Sequence, residues 1–163
     1  MFPHPLVATT TELLAHLRSR KLMVATAESC TGGLIAALLT EIAGSSDVVE
    51  RGFVTYSNDA KVEMIGVPRA LIDAHGAVSE QVARAMATGA LAASKADIAV
   101  SVTGVAGPGG GSIEKPVGLV HFSAVRKGGA VIHHEARFGD LGRSGIRLAT
   151  VAQALAMIRQ LAP

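Results

Sequence analysis

The chain has 163 residues, 49% hydrophobic and 17% charged, with a net charge of +2 at neutral pH. That balance excludes a disordered chain and fits one domain, residues 1–163, with a sizeable core. The weak, scattered positive charge argues against direct nucleic-acid binding, and the single cysteine, Cys30, excludes an internal disulfide.

Leu13, Leu14 and Leu17, set against Thr11, Glu12, His16 and Arg18, predict a helix over about 8–19. The apolar run Leu22-Met23-Val24-Ala25 predicts a strand over about 21–26. The polar stretch Thr26-Ala27-Glu28-Ser29-Cys30-Thr31-Gly32-Gly33 then leads into a helix over about 31–42. Gly44 to Asp47 is a turn, Val49 to Tyr56 a strand, and Asn58 to Ile65 a short helix closed by Gly66. Pro68 starts another short helix ending near Gly76, and Ser79-Glu80 opens a longer one reaching about Ser94. Ile98 to Val102 has the pattern of a buried strand, and a glycine-rich loop from Gly104 to Gly111 follows. Val117 to Arg126 and Val131 to Phe138 form a hairpin about Lys127-Gly128-Gly129, and a last helix runs from about Arg143 to Leu161.

Helices alternating with strands, ending in a hairpin, predict a three-layer α/β/α sandwich with a mixed, mostly parallel sheet of about five strands. Trp is absent and only one Tyr and four Phe occur, so Ala, Val, Leu and Ile must build the core. No apolar run is long enough to span a membrane, and Met1-Phe2-Pro3-His4-Pro5 lacks the basic-then-apolar order of a signal peptide. No membrane partner is expected, and the expected location is cytoplasmic.

Ligands of open α/β sheets bind at the carboxyl ends of strands. Glu28-Ser29, Tyr56 to Lys61 and Thr103-Gly104 all fall there. A serine at a strand-to-helix junction suits a nucleophile or a helix cap, because free amides and the positive end of the helix dipole meet there. A serine nucleophile needs a base, and lysine serves where a dry site keeps it neutral; a solvated surface charge is the commoner role for Lys61. Tyr56 is the only tyrosine and adjoins Ser57 and Asn58. The Gly104–Gly111 loop lacks the Gly-Lys-Ser/Thr ending of a phosphate loop, and Pro108 interrupts any dinucleotide fingerprint. The six histidines show no zinc-ligand spacing, so neither a metal nor another cofactor is expected. Arg143 and Arg147 share a helix face and suit a phosphate or carboxylate clamp, or a plain basic face. Cys30 reads as a small buried residue, since neighbours in a turn point differently.

Together, Thr26 to Gly33, Gly52-Phe53-Val54-Thr55-Tyr56-Ser57-Asn58, Ala60-Lys61, Gly76 to Glu80, Thr103 to Pro108 and Lys115-Pro116-Val117-Gly118 resemble the CinA C-terminal domain family over about 8–161. These are the nicotinamide-nucleotide amidohydrolases. The resemblance implies hydrolysis of the nicotinamide mononucleotide carboxamide to nicotinate mononucleotide and ammonia, within pyridine nucleotide recycling. It implies a Ser–Lys mechanism in which Ser29 matches the nucleophile, Lys61 the base, and Tyr56 and Thr103 polar residues of the site. Glu28, Thr31, Gly32, Gly33, Asn58, Gly104, Ala106, Gly107, Arg143 and Arg147 are the matching candidates for contacts to a small nucleotide substrate, with the amides of Thr31 to Gly33 as oxyanion donors. Gly109 stands where members often carry Asp or Thr, and Gly139-Asp140-Leu141-Gly142-Arg143 departs from the family's Gly-Asp-Arg order. Arg147 is favoured for the family's arginine because Ala149-Thr150 follow it. The family is linked by name to competence and DNA damage. Many members carry a further amino-terminal domain, and this chain resembles the stand-alone form, expected as a homodimer. The alternative is a catalytically weak nucleotide-binding or regulatory module of the same fold.

Overall fold

A computed structural model describes residues 2–163; Met1, the first residue of the predicted domain, lies outside the described residues. Twelve elements follow one another: α1 (His4–Ser19), β1 (Val24–Glu28), α2 (Leu34–Glu41), a short 3-10 turn (Ser45–Asp47), β2 (Val49–Val54), α3 (Asn58–Ile65), α4 (Arg69–His75), α5 (Glu80–Ala92), β3 (Ile98–Gly104), β4 (Leu119–Arg126), β5 (Val131–Arg137) and α6 (Gly142–Leu161). The five strands form one mixed sheet in the order β2-β1-β3-β4-β5. β1 pairs in parallel with β2 and β3, while β3, β4 and β5 pair antiparallel. This is the predicted three-layer sandwich.

The layers follow from strand alternation. Val24, Ile98, Val100, Val102, Val120 and Phe122 face one side, where they pack with Leu13 and Leu17 of α1, Ile35 and Leu38 of α2, and Ile158 of α6. Ala25, Ala27, Phe53, Ala99 and Val125 face the other, against Ile65 of α3, Ile72 of α4 and Val82, Met86 and Ala90 of α5. All five residues of β1 are buried, as befits a strand flanked on both edges and covered on both faces. β5 is an edge strand and carries exposed His134, Glu135 and Arg137, which blunt it against further pairing. Among the described residues, no helix is long and apolar enough to cross a membrane.

Two boundaries differ instructively from expectation. Helix α1 begins at His4 rather than about residue 8, because proline is tolerated in a first helical turn. Strand β1 runs through Glu28 rather than stopping near 26. Thr26 and Glu28 are polar but hydrogen-bonded to each other and to groups beyond, so both stay in the buried strand. The strand order puts β1 between β2 and β3, and the chain leaves β1 and β2 toward opposite faces. Their carboxyl ends therefore flank a crevice at a topological switch point.

Helix α3 is held close to the sheet by its crossing with α5. A methyl group on Gly89 of α5 would run into the Ile65 carbonyl oxygen of α3. In an isolated helix Gly89→Ala gains about 1 kcal/mol of propensity; here the overpacking outweighs it. The variant is expected to lose about 1–3 kcal/mol, read as a lowered thermal unfolding midpoint. An unchanged or raised midpoint would mean that the two helices do not meet so closely.

Candidate functional site

Ser29 is the first residue past β1. Its amide donates to the Val102 carbonyl of β3 at 3.0 Å, and its own carbonyl accepts from Gly32 N–H at 3.1 Å. The chain can double back here because Gly33 sits at φ +100, a left-handed conformation that side chains resist. Beside Ser29, the segment leaving β2 is tied to β1 by Thr55 N–H donating to the Glu28 carbonyl at 2.9 Å. Ser57 then caps α3, its hydroxyl accepting from Ala60 N–H at 3.0 Å. That cap sets the phase of α3 and turns Lys61 inward.

The Lys61 side chain is 1% exposed. Its Nζ lies 3.1 Å from Ser29 Oγ, donates to the Thr55 carbonyl at 2.8 Å and reaches the Tyr56 carbonyl at 3.4 Å. Burial penalises its ammonium form and pushes its pKa down to about 8. Among the described residues no carboxylate pairs with it. A neutral amine has two N–H bonds, and two carbonyls are placed to accept them, which leaves the lone pair for the serine hydroxyl.

Ser29 opens into a cleft of about 300 Å³ lined by Tyr56, Val78, Gly104, Ala106, Gly107 and Arg143, among others. Arg143, in the first turn of α6, spans it, donating to the Gly107 carbonyl at 2.8 Å and to Tyr56 Oη at 3.2 Å. Tyr56 is otherwise 60% exposed. Among the described residues, the amides of Ala106 and Gly107 donate no hydrogen bond to protein, while Val105 N–H is taken by the Leu119 carbonyl. No three His, Cys, Asp or Glu side chains among the described residues converge as a metal site.

Several expected contacts lie elsewhere. Glu28 is 1% exposed and points to α2, where its carboxylate accepts from Thr31 Oγ1 and from the amides of Gly33, Ile35 and Ala36. This carboxylate, the Thr31 hydroxyl and the Gly33 amide are thereby committed inside the protein. The Gly32 amide is committed too, so neither glycine amide is free to receive an oxyanion; the Thr31 amide, the third expected donor, makes no hydrogen bond among the described residues, but Thr31 is fully buried and outside the cleft lining. Arg147, one helical turn beyond Arg143, donates to the Cys30 and Thr31 carbonyls at 3.2 and 2.8 Å and braces the turn from outside. The arginine lining the cleft is therefore Arg143, while Arg147 spends two of its five N–H donors on the turn's carbonyls. Thr103 is buried behind the cleft, its hydroxyl donating to the Ala77 carbonyl at 2.9 Å. Asn58 is exposed at the start of α3, outside the cleft lining. Val78 lines the cleft unforeseen; its only signal was its place in the Gly76–Glu80 motif.

A family model for the CinA C-terminal domain matches residues 7–162. An Escherichia coli protein named nicotinamide-nucleotide amidohydrolase PncC is 52% identical over 145 residues, covering 88% of this chain and 87% of that protein. A CinA-like protein of Mycolicibacterium paratuberculosis is 52% identical across 92% of this chain, which spans 35% of its length. The chain likewise spans 35% of a competence-damage inducible protein of Symbiobacterium thermophilum, at 50% identity. Among solved structures, the competence/damage inducible protein CihA of Agrobacterium tumefaciens superposes with a TM-score of 0.98 at 56% identity, covering 100% of this chain and 99% of that one.

Cys30 is buried beside Ser29, and burial pushes its thiol up to about 12. The thiol is therefore protonated at neutral pH and a poor nucleophile. In the native protein iodoacetamide should alkylate Cys30 on the order of a hundredfold slower, or less, than in the urea-unfolded chain. Intact mass against time reads this, and equal rates would make Cys30 a candidate nucleophile.

Proposed function

The chain belongs to the CinA C-terminal domain family, and from that membership we propose that it is a nicotinamide-nucleotide amidase using Ser29 as nucleophile and Lys61 as base. The observation that carries this reading is the buried Lys61 Nζ, 3.1 Å from Ser29 Oγ and, among the described residues, without a carboxylate partner. A structural lysine would be paired or solvated; one whose pKa is lowered by burial and which lies against a hydroxyl is suited to accept that hydroxyl's proton.

The substrate is nicotinamide mononucleotide. Ser29 Oγ attacks the carboxamide carbon while its proton passes to Lys61 Nζ, and the carbonyl electrons move onto oxygen. The amides of Gly32 and Gly33 being occupied, the developing oxyanion is received by amides lining the cleft, those of Ala106 and Gly107. Collapse of the intermediate expels ammonia, which takes the proton from Lys61. Water, deprotonated by the same lysine, then cleaves the Ser29 ester and releases nicotinate mononucleotide. The proton thus cycles between one lysine and the reacting atoms. Such a product suits the recycling of pyridine nucleotides.

The phosphate, remote from the scissile amide, binds at Arg143 and the neighbouring loop. Arg143 offers a fork of donors now held by Gly107 and Tyr56, and an anion would outcompete both. Binding energy from that end orients the amide at Ser29.

Ammonia release from nicotinamide mononucleotide tests the reading. Ser29→Ala should bind the nucleotide and lose turnover by about a hundredfold or more. The wild-type rate should rise with pH through about 8 as one group deprotonates, because below that value Lys61 is an ammonium and accepts no proton. Lys61→Arg stays charged and should be nearly inactive throughout. A wild-type rate flat from pH 6.5 to 9.5, or an active Lys61→Arg, would remove Lys61 as base.

A second measurement addresses recognition. Nicotinamide riboside, lacking the phosphate, should be the poorer substrate by kcat/KM, and Arg143→Ala should erase most of the difference. Equal efficiency in the wild type would contradict the phosphate site. Loss of the difference in Arg147→Ala alone would move it to the other arginine.

A further inference from the structure

Glu28 is a buried charged group to which the proposed reaction gives no part. Its carboxylate accepts five hydrogen bonds: from Thr26 Oγ1 at 3.3 Å and Thr31 Oγ1 at 2.6 Å, and from the amides of Gly33, Ile35 and Ala36 at 3.1, 3.0 and 2.9 Å. These donors come from β1, from the turn and from the first turn of α2. Helix α2 has Gly33 at its cap position and no side-chain cap of the ordinary kind. Glu28 takes over that role from the last position of the strand, five residues upstream.

Stability alone does not call for this arrangement. A serine or threonine at the cap position would hold the amides without burying a carboxylate, whose desolvation is costly. What the carboxylate adds is a cross-link. It ties the end of β1 directly to the start of α2, and the chain between the two anchors begins with Ser29. Arg147 holds the same turn from outside through the Cys30 and Thr31 carbonyls. The serine hydroxyl must stay within hydrogen-bond range of Lys61, and a hydrogen bond is lost within about half an ångström of stretching.

We propose that Glu28 is a positioning residue: its buried carboxylate fixes the Ser29 turn so that the hydroxyl stays in register with Lys61. The inference rests on the proposed role of Ser29 as nucleophile. All five groups around the carboxylate are positioned as donors, and a glutamine can accept at only one of its two terminal atoms. In Glu28→Gln an amide NH2 confronts at least one backbone N–H, and the turn must shift to relieve it. Thr31→Val removes a single donor and keeps the carboxylate.

The experiment compares wild type, Glu28→Gln and Thr31→Val by thermal unfolding, by calorimetric binding of nicotinamide mononucleotide, by ammonia release, and by the rate at which an organofluorophosphonate labels Ser29. Both variants, measured well below their unfolding midpoints, should bind the nucleotide within about twofold of wild type while kcat and the labelling rate fall about tenfold to a hundredfold, as for a misplaced reacting group. A general loosening of the fold would weaken binding as well. Folded variants that label as fast as wild type would overturn the proposal. Should Glu28→Gln fail to fold, Thr31→Val decides by the same comparison. A wild type that is labelled at Ser29 yet releases no ammonia would count against the proposed substrate, and the labelling rates would still decide the role of Glu28.

Discussion

An ammonium group loses most of its hydration when it is buried, and the protein supplies Lys61 with two backbone carbonyls and a hydroxyl in place of water, but, among the described residues, no anion. That choice is the constraint on which the site depends. A carboxylate would have kept the lysine charged; carbonyls tolerate the neutral amine and orient it. Three pieces of chain must therefore arrive together: the end of β1 with Ser29, the segment after β2 with the Thr55 and Tyr56 carbonyls, and α3 with Lys61. Parallel pairing aligns the first two, Glu28 opposite Val54 and Thr55 bonded to the Glu28 carbonyl. The Ser57 cap and the close α3–α5 crossing at Gly89 fix the third.

The other half of the cleft comes from β3. Antiparallel pairing with β4 leaves the Gly104–Gly111 loop at its carboxyl end, and α6 returns to set Arg143 across the opening. The two halves have different physical characters. Around Ser29 almost every polar group is consumed by the protein itself, from the Glu28 carboxylate to the Arg147 guanidinium. Along the loop, backbone amides remain uncommitted and the bridging arginine bonds are exposed to competition. Such a division suits a rigid reacting centre beside a recognition surface that exchanges its own contacts for those of a ligand.

Most of the fold was legible because its signals are local. Ser57 and Gly66 bracket α3 at its expected ends, Ser79 caps α5, and Lys127-Gly128-Gly129 turns the hairpin. The order of strands was not legible, since it depends on which faces the helices cover. For the site, Ser29, Tyr56 and Lys61 could be placed at strand ends from the apolar runs preceding them. Glu28 could not be aimed. A carboxylate at the end of a strand serves a ligand or a helix equally well, and only its parity with Thr26 and the bare Gly33 cap hinted at the helix. Arg143 and Arg147 share a face, yet one turn of helix sends one to the cleft and the other to the turn, a difference of reach that spacing does not reveal. Thr103 likewise matched by motif but spends its hydroxyl on Ala77, supporting the wall of the cleft from behind.

The central claim is that the Lys61 amine loses its proton near pH 8 while within reach of Ser29, and it can be observed without any substrate. Nuclear magnetic resonance of carbon-13-labelled lysine side chains, with Lys61 assigned by its absence in Lys61→Arg, follows the protonation of this one amine directly. The account predicts a midpoint near 8, well apart from the exposed lysines. A Lys61 midpoint at the ordinary lysine value, about 10.4, would contradict it.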